Sequence, residues 1–352
     1  MKKMLAMLLA LVMILGLAAC ASTKPAADAT ATSEPSNTGD SASAETSAEA
    51  SDAAPAESGK TYTVGVCQLV QHEALDAATQ GFVDALKEAL GDAVTIDVQN
   101  ASGDSVNCGT IVNGFVAKGV DLIMANATPA LTAAVSATAD IPILGTSITA
   151  YGVALDIDDF NGTVGGNVSG TSDLADLQKQ AQMILDWFPE TKTVGLLFCS
   201  AEPNSRYQID EVRKALEAQA VTCEEFAFTD SNDVSSVTQK ACDASDVLFI
   251  PTDNTAASNT EAIANVVLAS NTPVIAGESG LCKGCGVATL SIDYYELGKI
   301  TGQMAAKILT GEADVSTMPI QFAPSVTKQA NMANCQKLNI TLPSDYTALA
   351  TE

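Results

Sequence analysis

The chain has 352 residues, 47% of them hydrophobic, which is enough for about two domains with sizeable cores. Its formal net charge is −25, from 17 Lys and Arg residues against 42 Asp and Glu residues. Nucleic-acid-binding proteins carry clustered Lys and Arg for phosphate contacts, whereas arginine occurs here only at Arg206 and Arg213. The composition therefore argues against nucleic acid as a partner. It also disfavours a phosphorylated ligand, which arginine usually binds.

The first 20 residues are organised like an export signal. Met1-Lys2-Lys3 is basic, residues 4–16 are apolar, and Leu17-Ala18-Ala19-Cys20 closes the segment. The apolar run is shorter than the about 20 residues of a membrane span, as is typical of a signal peptide. Small residues directly before a cysteine resemble the lipobox of bacterial lipoproteins, which implies cleavage before Cys20 and a lipid on its sulfur. The alternative is an ordinary secretion signal with a chance cysteine.

Residues 21–59 are almost wholly Ala, Ser, Thr, Pro, Asp and Glu. Such a segment cannot bury enough apolar surface to offset its chain entropy. We therefore expect a disordered tether that holds a folded domain away from the membrane.

From residue 60 onward, short apolar runs alternate with longer amphipathic ones, which predicts parallel α/β architecture. In the first half, strands are expected at 62–67, 94–98, 121–125 and 142–144, with helices at 73–90, 105–117 and 129–138. In the second half, helices are expected at 174–187, 205–218, 233–242 and 256–269, with strands at 193–199, 222–228, 246–250, 273–276 and 287–292.

The segment DLIMANATPA at 121–130 predicts a buried strand that runs directly into a helix. Thr128 is expected to be its N-cap and Pro129 its first helical residue, so free backbone N–H groups could hold an anion there. Three stretches of the first half return in the same order about 130 residues later. They pair 63–68 with 193–200, 121–128 with 246–253, and 141–147 with 272–279. This repeat predicts two similar lobes.

Two doubly wound lobes would place the carboxyl ends of their strands at facing edges, with a ligand cleft between them that closes around the ligand. We expect the first crossing between lobes in the glycine-rich segment 161–170 and the second at 287–294. Asp293 and Glu296 then form a capping box for a helix that returns to the first lobe. The predicted division assigns 60–168 and 292–318 to lobe 1, 169–291 to lobe 2, and 319–352 to a hinge return and an irregular C-terminal tail.

These motifs resemble the type I periplasmic-binding-protein fold, and within it the ABC-transporter substrate-binding lipoproteins related to tryptophan- and phenylalanine-binding proteins. The matching stretches are VGVCQLVQHEALD at 64–76, ALDAATQGFVDAL at 74–86, DLIMANATPA at 121–130, GNVSGTSD at 166–173, VLFIPTDNT at 247–255 and IDYYELG at 292–298. The sequence departs from the pattern where Gln71-His72-Glu73 replaces the more usual Glu-His-Pro, and in the Cys282–Cys285 loop.

The loops after the predicted strands supply the candidate ligand contacts. They are Gln68, Gln71, His72, Thr128, Thr146, Ser147, Asn204, Ser205, Asp253, Asn254, Glu278 and Asp293. One lobe brings hydroxyls and helix ends, and the other brings carboxylates. This asymmetry suits a zwitterion whose carboxylate meets Thr128 and whose ammonium meets Asp253 or Glu278. Tyr151, Phe160 and Tyr294 are the aromatic residues placed to flank an apolar side chain.

The cysteines and the single histidine indicate no metal centre and no cofactor. Eight cysteines follow Cys20, scattered through a large domain: Cys67, Cys108, Cys199, Cys223, Cys242, Cys282, Cys285 and Cys335. Cys282 and Cys285 could form a local disulfide, a redox pair or half a metal site. No second pair has zinc spacing, so a structural or incidental role is the default for all eight.

The resemblance and the residues together predict a non-enzymatic protein that captures a small zwitterionic molecule, namely an amino acid with a large apolar or aromatic side chain. Its expected partners are an ABC permease with its ATPase, and the membrane through a lipid anchor on the outer face of the cytoplasmic membrane. We expect a monomer. A sugar, a nucleoside or a branched-chain amino acid are alternative ligands. Catalysis is a remote alternative, because His72 is the only histidine and no G-x-S-x-G motif occurs.

Overall fold

The computed structural model describes residues 59–349, which form two α/β lobes. The predicted signal peptide, Cys20 and residues 21–58 of the predicted tether lie outside the described residues. Between residues 59 and 349, no helix is both long enough and apolar enough to cross a membrane.

The strands are β1 (Tyr62–Gln68), β2 (Val94–Asn100), β3 (Leu122–Asn126), β4 (Ile143–Ile148), β5 (Val168–Ser172), β6 (Thr193–Cys199), β7 (Thr222–Phe228), β8 (Val247–Ile250), β9 (Val274–Ala276), β10 (Ala288–Ile292), β11 (Gln321–Phe322), β12 (Val326–Ala330) and β13 (Thr347–Ala348). The helices are α1 (Glu73–Leu90), α2 (Ser105–Lys118), α3 (Thr128–Ala137), α4 (Tyr151–Ala154), α5 (Leu177–Trp187), α6 (Pro203–Glu217), α7 (Val234–Ala244), α8 (Asn254–Ala257), α9 (Thr260–Ala269), α10 (Ser279–Gly284), α11 (Tyr294–Thr310) and α12 (Met332–Lys337).

The two sheets share one topology. The first has the order β11-β5-β4-β3-β1-β2 and the second β13-β12-β10-β9-β8-β6-β7, so β5-β4-β3-β1-β2 corresponds to β10-β9-β8-β6-β7. A hydrogen bond repeats as well: Asp121 Oδ2 accepts from Thr63 N at 2.7 Å, and Asp246 Oδ2 accepts from Thr193 N at 2.9 Å. The predicted two-lobe α/β fold is therefore confirmed.

Each sheet is covered by helices on both faces, which explains why its central strands are continuously apolar. In the first lobe, Phe115 and Leu131 of α2 and α3 pack on one face, while Phe82 of α1 and Met304 of α11 pack on the other. In the second lobe, α5 and α6 cover one face and α7 and α9 the other.

Helix α11 packs against α1, so it returns to the first lobe as predicted. Its start is also as predicted, because the Asp293 side chain accepts a hydrogen bond from Glu296 N at 3.0 Å. The two helix backbones come very close at Gly298, where a Cβ atom would lie 2.0 Å from the carbonyl oxygen of Ala78.

The first crossing between lobes was predicted too early. Val168–Ser172 is β5, which pairs in parallel with β4, so the chain leaves the first sheet only after Ser172. The strand contains Gly170, at φ +143, where a Cβ atom would lie 2.1 Å from the Gly145 carbonyl oxygen. Only small residues permit this close approach. In the sequence, a run of small residues is also typical of a linker, which is why this strand was predicted to be a crossing.

The C-terminal segment was wrongly predicted to be an irregular tail. After β11 has paired with β5 in the first sheet, β12 pairs antiparallel with β10 and β13 extends the second sheet. Residues 326–348 thus belong to the second lobe, and the last crossing lies between Phe322 and Val326. The helix predicted at 256–269 is divided into α8 and α9 by Ser258 and Asn259.

Candidate functional site

The carboxyl ends of the two sheets face each other across a cleft. His72 Nε2 of the first lobe lies 3.2 Å from Asn254 Oδ1 of the second, and Lys283 Nζ lies 3.1 Å from Glu73 Oε2. A cavity of about 360 Å³ lies between the lobes and is lined by residues of both. Its first-lobe lining includes Leu69 and Pro129. Because both lobes contact each other directly, this is a closed arrangement.

Gln68 fixes the loop that follows β1. It is buried, and its Nε2 donates to Val70 O at 2.9 Å and to Asp76 Oδ1 at 2.6 Å, while its Oε1 accepts from Thr79 Oγ1 at 2.6 Å. The side chain therefore has partners within the first lobe. Gln71 is exposed and lies at the rim of the cleft.

The loop after β3 differs from the prediction by one residue. The N-cap of α3 is Ala127, with φ 84°, and Thr128 is the first helical residue, so Pro129 occupies the second position. A non-glycine residue with this φ is strained, and such strain is concentrated at ligand sites and turns. Thr128 does not cap the helix with its hydroxyl, but it is buried at the cleft end of β3.

Thr146 and Ser147 have different environments although they are adjacent in β4. Thr146 Oγ1 lies 3.1 Å from both Thr171 Oγ1 and Thr301 Oγ1, so it belongs to a hydroxyl network under α11. Ser147 has φ 55°, and its hydroxyl is buried without a hydrogen-bond partner. Of the two, only Ser147 has a free polar atom.

Glu202, which the sequence analysis missed, organises the second-lobe loops. Its carboxylate accepts from Asn254 Nδ2 at 2.6 Å, from Thr255 N and Thr255 Oγ1 at 2.8 Å each, and from Asn204 Nδ2 at 3.1 Å. This carboxylate brings the predicted residues Asn204 and Asn254 together. Asn204 Oδ1 remains buried without a partner.

Asp253 and Glu278 both cap helices. Asp253 accepts from Ala256 N at 2.8 Å and Cys199 N at 2.7 Å, and Glu278 accepts from Leu281 N at 2.5 Å and Gly280 N at 2.6 Å. Burial raises the pKa of Asp253 to about 8, with a further contribution from Glu202, and raises the pKa of Glu278 to about 7. Each oxygen of both groups thus already has a backbone donor.

The remaining predicted residues are separated. Ser205 is fully buried beside Asp253, whereas Asp293 is exposed at the second crossing, where it caps α11. Tyr151 stacks on Phe160 with 6.4 Å between ring centroids, and its hydroxyl donates to Thr171 O at 3.2 Å.

A second residue missed from the sequence is Asp173, at the first crossing. It is buried, Tyr294 OH donates to its Oδ2 at 3.0 Å, and its Oδ1 has no hydrogen-bond partner. Burial raises the pKa of Asp173 to about 6. The only available signal was its place at the end of the matching stretch GNVSGTSD.

A larger cavity, of about 630 Å³, lies between α4 of the first lobe and Tyr207 of α6 in the second. Its wall includes Tyr151, Phe160 and Phe322. We call it the aromatic cavity. Its volume lies in the range of small-molecule pockets.

The eight cysteines of the described part are all free thiols, six of them buried, including Cys282 and Cys285. Among residues 59–349, no group of three or more His, Cys, Asp and Glu side chains has an arrangement suited to a metal ion.

A family model described as ABC transporter substrate binding protein matches residues 63–352. The chain belongs to this family. The substrate-binding protein is also 33% identical, over 270 residues, to a tyrosine-binding protein of Clostridioides difficile (strain R20291). The match covers 75% of this chain and 77% of that protein. Members of the family bind solutes and are not enzymes, and they act with an ABC transporter, which implies an extracytoplasmic location.

Two solved structures are informative about the lobe arrangement. A Streptococcus pneumonia protein in complex with L-Trp matches with 31% identity and a TM-score of 0.78, covering 82% of this chain and 99% of that one. The ligand-free, open structure of a Clostridium difficile substrate-binding protein matches with 34% identity but a TM-score of 0.64, covering 83% and 100%. The higher score goes to the ligand-bound structure despite its lower identity, in agreement with the closed arrangement found here.

Proposed function

We propose that this substrate-binding protein captures an aromatic amino acid as a zwitterion, and passes it to the permease and ATPase of an importer. The observation that carries the proposal is a set of buried polar atoms without partners near the carboxyl ends of the strands, namely Ser147 Oγ in β4, Asn204 Oδ1 in α6 and Asp173 Oδ1 directly after β5. Buried polar groups are normally hydrogen-bonded, so these atoms are suited to the donors and acceptors of a small polar ligand.

The aromatic class is supported by two further findings. The aromatic cavity is of a size that accepts a large side chain. The similar proteins are described as tyrosine-binding and as a complex with L-Trp. In this proposal the ligand carboxylate meets Thr128 and Ser147, and the second-lobe loops with Asn204, Asp253 and Glu278 close over it.

Isothermal titration of the purified protein, unfolded and refolded to release bound ligand, tests the ligand class. We expect L-tyrosine, L-tryptophan or L-phenylalanine to bind at least about tenfold more tightly than L-leucine. Ribose and adenosine serve as probes for the sugar and nucleoside alternatives. Binding of either one, with no heat from the amino acids, would contradict the proposal.

The proposed location is the outer face of the cytoplasmic membrane, with a lipid on Cys20 and residues 21–59 as tether, and the protein is proposed to act as a monomer. The protein should incorporate labelled fatty acid in cells, and Cys20→Ser should abolish this incorporation without changing the ligand affinity of the folded domain. Absence of label from the original protein would argue against the lipid anchor.

A further inference from the structure

Asp173 occupies the point where the chain leaves the first sheet. Its side chain lies beside Thr149, Tyr151 and Tyr294, and its charge contributes to raising the pKa of Glu278 in the second lobe. Tyr294 OH donates to Oδ2, and the Thr149 hydroxyl lies close enough to the carboxyl to lower its pKa, but no donor lies within hydrogen-bond distance of the buried Oδ1. This oxygen is therefore open to a further donor.

No cation of the protein completes it. None of the ion pairs in the described part of the chain includes Asp173. A buried carboxylate oxygen that accepts no protein donor is costly, since its lost hydration is not compensated within the protein. An ammonium group, with its positive charge and three N–H donors, would remove this cost.

The other three buried carboxyls of the site differ in this respect. Both oxygens of Asp253 and both oxygens of Glu278 already accept backbone N–H groups of their own lobe. Both oxygens of Glu202 likewise accept from Asn254 and Thr255 of the second lobe. Asp173 is the one of the four with an oxygen left over.

The neighbours of Asp173 connect it to the aromatic cavity. Ser172 and Leu174, on either side in the chain, line that cavity, and so does Thr149. A ligand whose ammonium lies at Asp173 thus has its side chain within reach of a space walled by Tyr151, Phe160 and Tyr207. Tyr207 is the second-lobe member of this wall, so closure of the lobes completes the cavity.

Building on the proposed function, we infer that Asp173 receives the ammonium group of the amino acid and that the aromatic cavity receives its side chain. Asp173 then selects α-amino acids against analogues without an amine. Tyr207 selects large aromatic side chains against small ones.

The test of the ammonium contact compares each amino acid with its analogue that lacks the amine. The pairs are L-tyrosine with 3-(4-hydroxyphenyl)propanoate, L-tryptophan with 3-(indol-3-yl)propanoate, and L-phenylalanine with 3-phenylpropanoate, titrated calorimetrically. Asp173→Asn should lower the affinity for the amino acid about 100-fold and the affinity for the analogue less than about threefold. Asp140→Asn, an equal change of charge at an exposed site, should alter neither.

Melting of the ligand-free variants shows whether Asp173 is merely structural. We expect Asp173→Asn to melt at the same temperature as the original protein or higher, because an incompletely paired buried charge is removed. Equal weakening of the amino acid and its analogue would overturn the inference. It would also be overturned if Glu278→Gln or Asp253→Asn abolished the discrimination while Asp173→Asn kept it.

The side-chain pocket is tested separately with Tyr207→Ala, a partly exposed position that should fold normally. This change should lower the affinity for the aromatic amino acid about tenfold. Tyr295→Ala, an aromatic truncation on the outer face of α11, is the control and should have no effect. Unchanged affinity in Tyr207→Ala would refute the pocket. If the original protein binds none of the three amino acids, the proposed function itself fails, whatever the variants do.

Discussion

His72 and Asn254 join the two lobes through a hydrogen bond of 3.2 Å between His72 Nε2 and Asn254 Oδ1. Asn254 Nδ2 donates to Glu202 Oε2 at 2.6 Å, and a carboxylate can only accept. The amide therefore presents its oxygen to His72, so His72 Nε2 must be the donor. Burial lowers the pKa of His72, which favours a neutral ring with Nδ1 unprotonated. A single directional contact thus stabilises closure.

Loss of this contact should favour the open state. His72→Ala is expected to weaken amino-acid binding about fivefold, since a neutral hydrogen bond contributes about 1 kcal/mol. The change should appear as faster dissociation with little change in the association rate, as measured by stopped-flow kinetics.

The Glu73–Lys283 pair provides a control for the same interface. Its side chains are 54% and 32% exposed, so solvent screens their attraction. Lys283→Ala should change affinity by less than about twofold, and less again at high salt. A larger effect than that of His72→Ala would show that the ion pair, not the histidine, holds the lobes closed.

The sequence was sufficient for the elements whose pattern is local. Helix α1 was predicted at its observed bounds because Phe82, Leu86 and Leu90 recur at helical spacing. Strand β5 was missed because its small residues are dictated by the backbone of β4, a contact between distant parts of the chain. The predicted carboxyl ends of the strands lie within two residues of the observed ones except in β4, which was predicted to end at residue 144 and runs to Ile148, so that Thr146 and Ser147 lie inside the strand. Which oxygens are free at these ends depends on partners that only the fold brings together. Asp173 and Glu202 illustrate this limit.

The close packing of α1 on α11 predicts that Gly298 tolerates no side chain. A Cβ atom there would lie 2.0 Å from the Ala78 carbonyl oxygen, and the backbone of α1 would have to move. Gly298→Ala should lower the free energy of unfolding by about 2–3 kcal/mol, as overpacking does. Gly114→Ala, in α2 with open space around it, should instead raise the free energy by up to about 1 kcal/mol. Urea denaturation measures both, and similar effects of the two changes would contradict the packing argument.

The first-lobe side of the site predicts a carboxylate contact at Thr128. Thr128→Val keeps the shape of the side chain and removes the hydroxyl. It should lower the affinity for an aromatic amino acid about tenfold. The affinity for the corresponding amine without a carboxylate, such as tyramine, should not change. Thr132→Val, one turn further along α3, should have no effect, because its hydroxyl bonds only to Pro129 O at 3.1 Å. Titration calorimetry distinguishes these outcomes, and an equal loss for tyramine would place the carboxylate elsewhere.

The buried carboxyls predict an unusual dependence of stability on pH. Burial raises the pKa of Asp173 from 3.8 to about 6 and that of Glu278 from 4.5 to about 7. A carboxyl with a raised pKa holds its proton in the folded state after the unfolded chain has released it. The folded state therefore loses stability as the pH rises from about 4 to about 7. Asp253, whose pKa burial raises to about 8, acts in the same direction. Surface carboxyls with a lowered pKa, such as Asp97 and Asp246, act in the opposite direction only below about pH 4. His72, whose pKa burial lowers from 6.5, also acts in the opposite direction up to about pH 6.5, but it is one group against three carboxyls.

Melting temperatures across this range test the argument. The ligand-free protein should melt at a higher temperature at pH 5 than at pH 7.5. Asp173→Asn should reduce the corresponding difference in unfolding free energy by an amount on the order of 2 kcal/mol. An amino acid whose ammonium lies at Asp173 favours the ionised carboxyl, so it should stabilise the protein more strongly at pH 7.5 than at pH 5. If the ligand-free protein became more stable between pH 5 and pH 7.5, burial would not control these carboxyls, because their hydrogen bonds would then outweigh the loss of hydration.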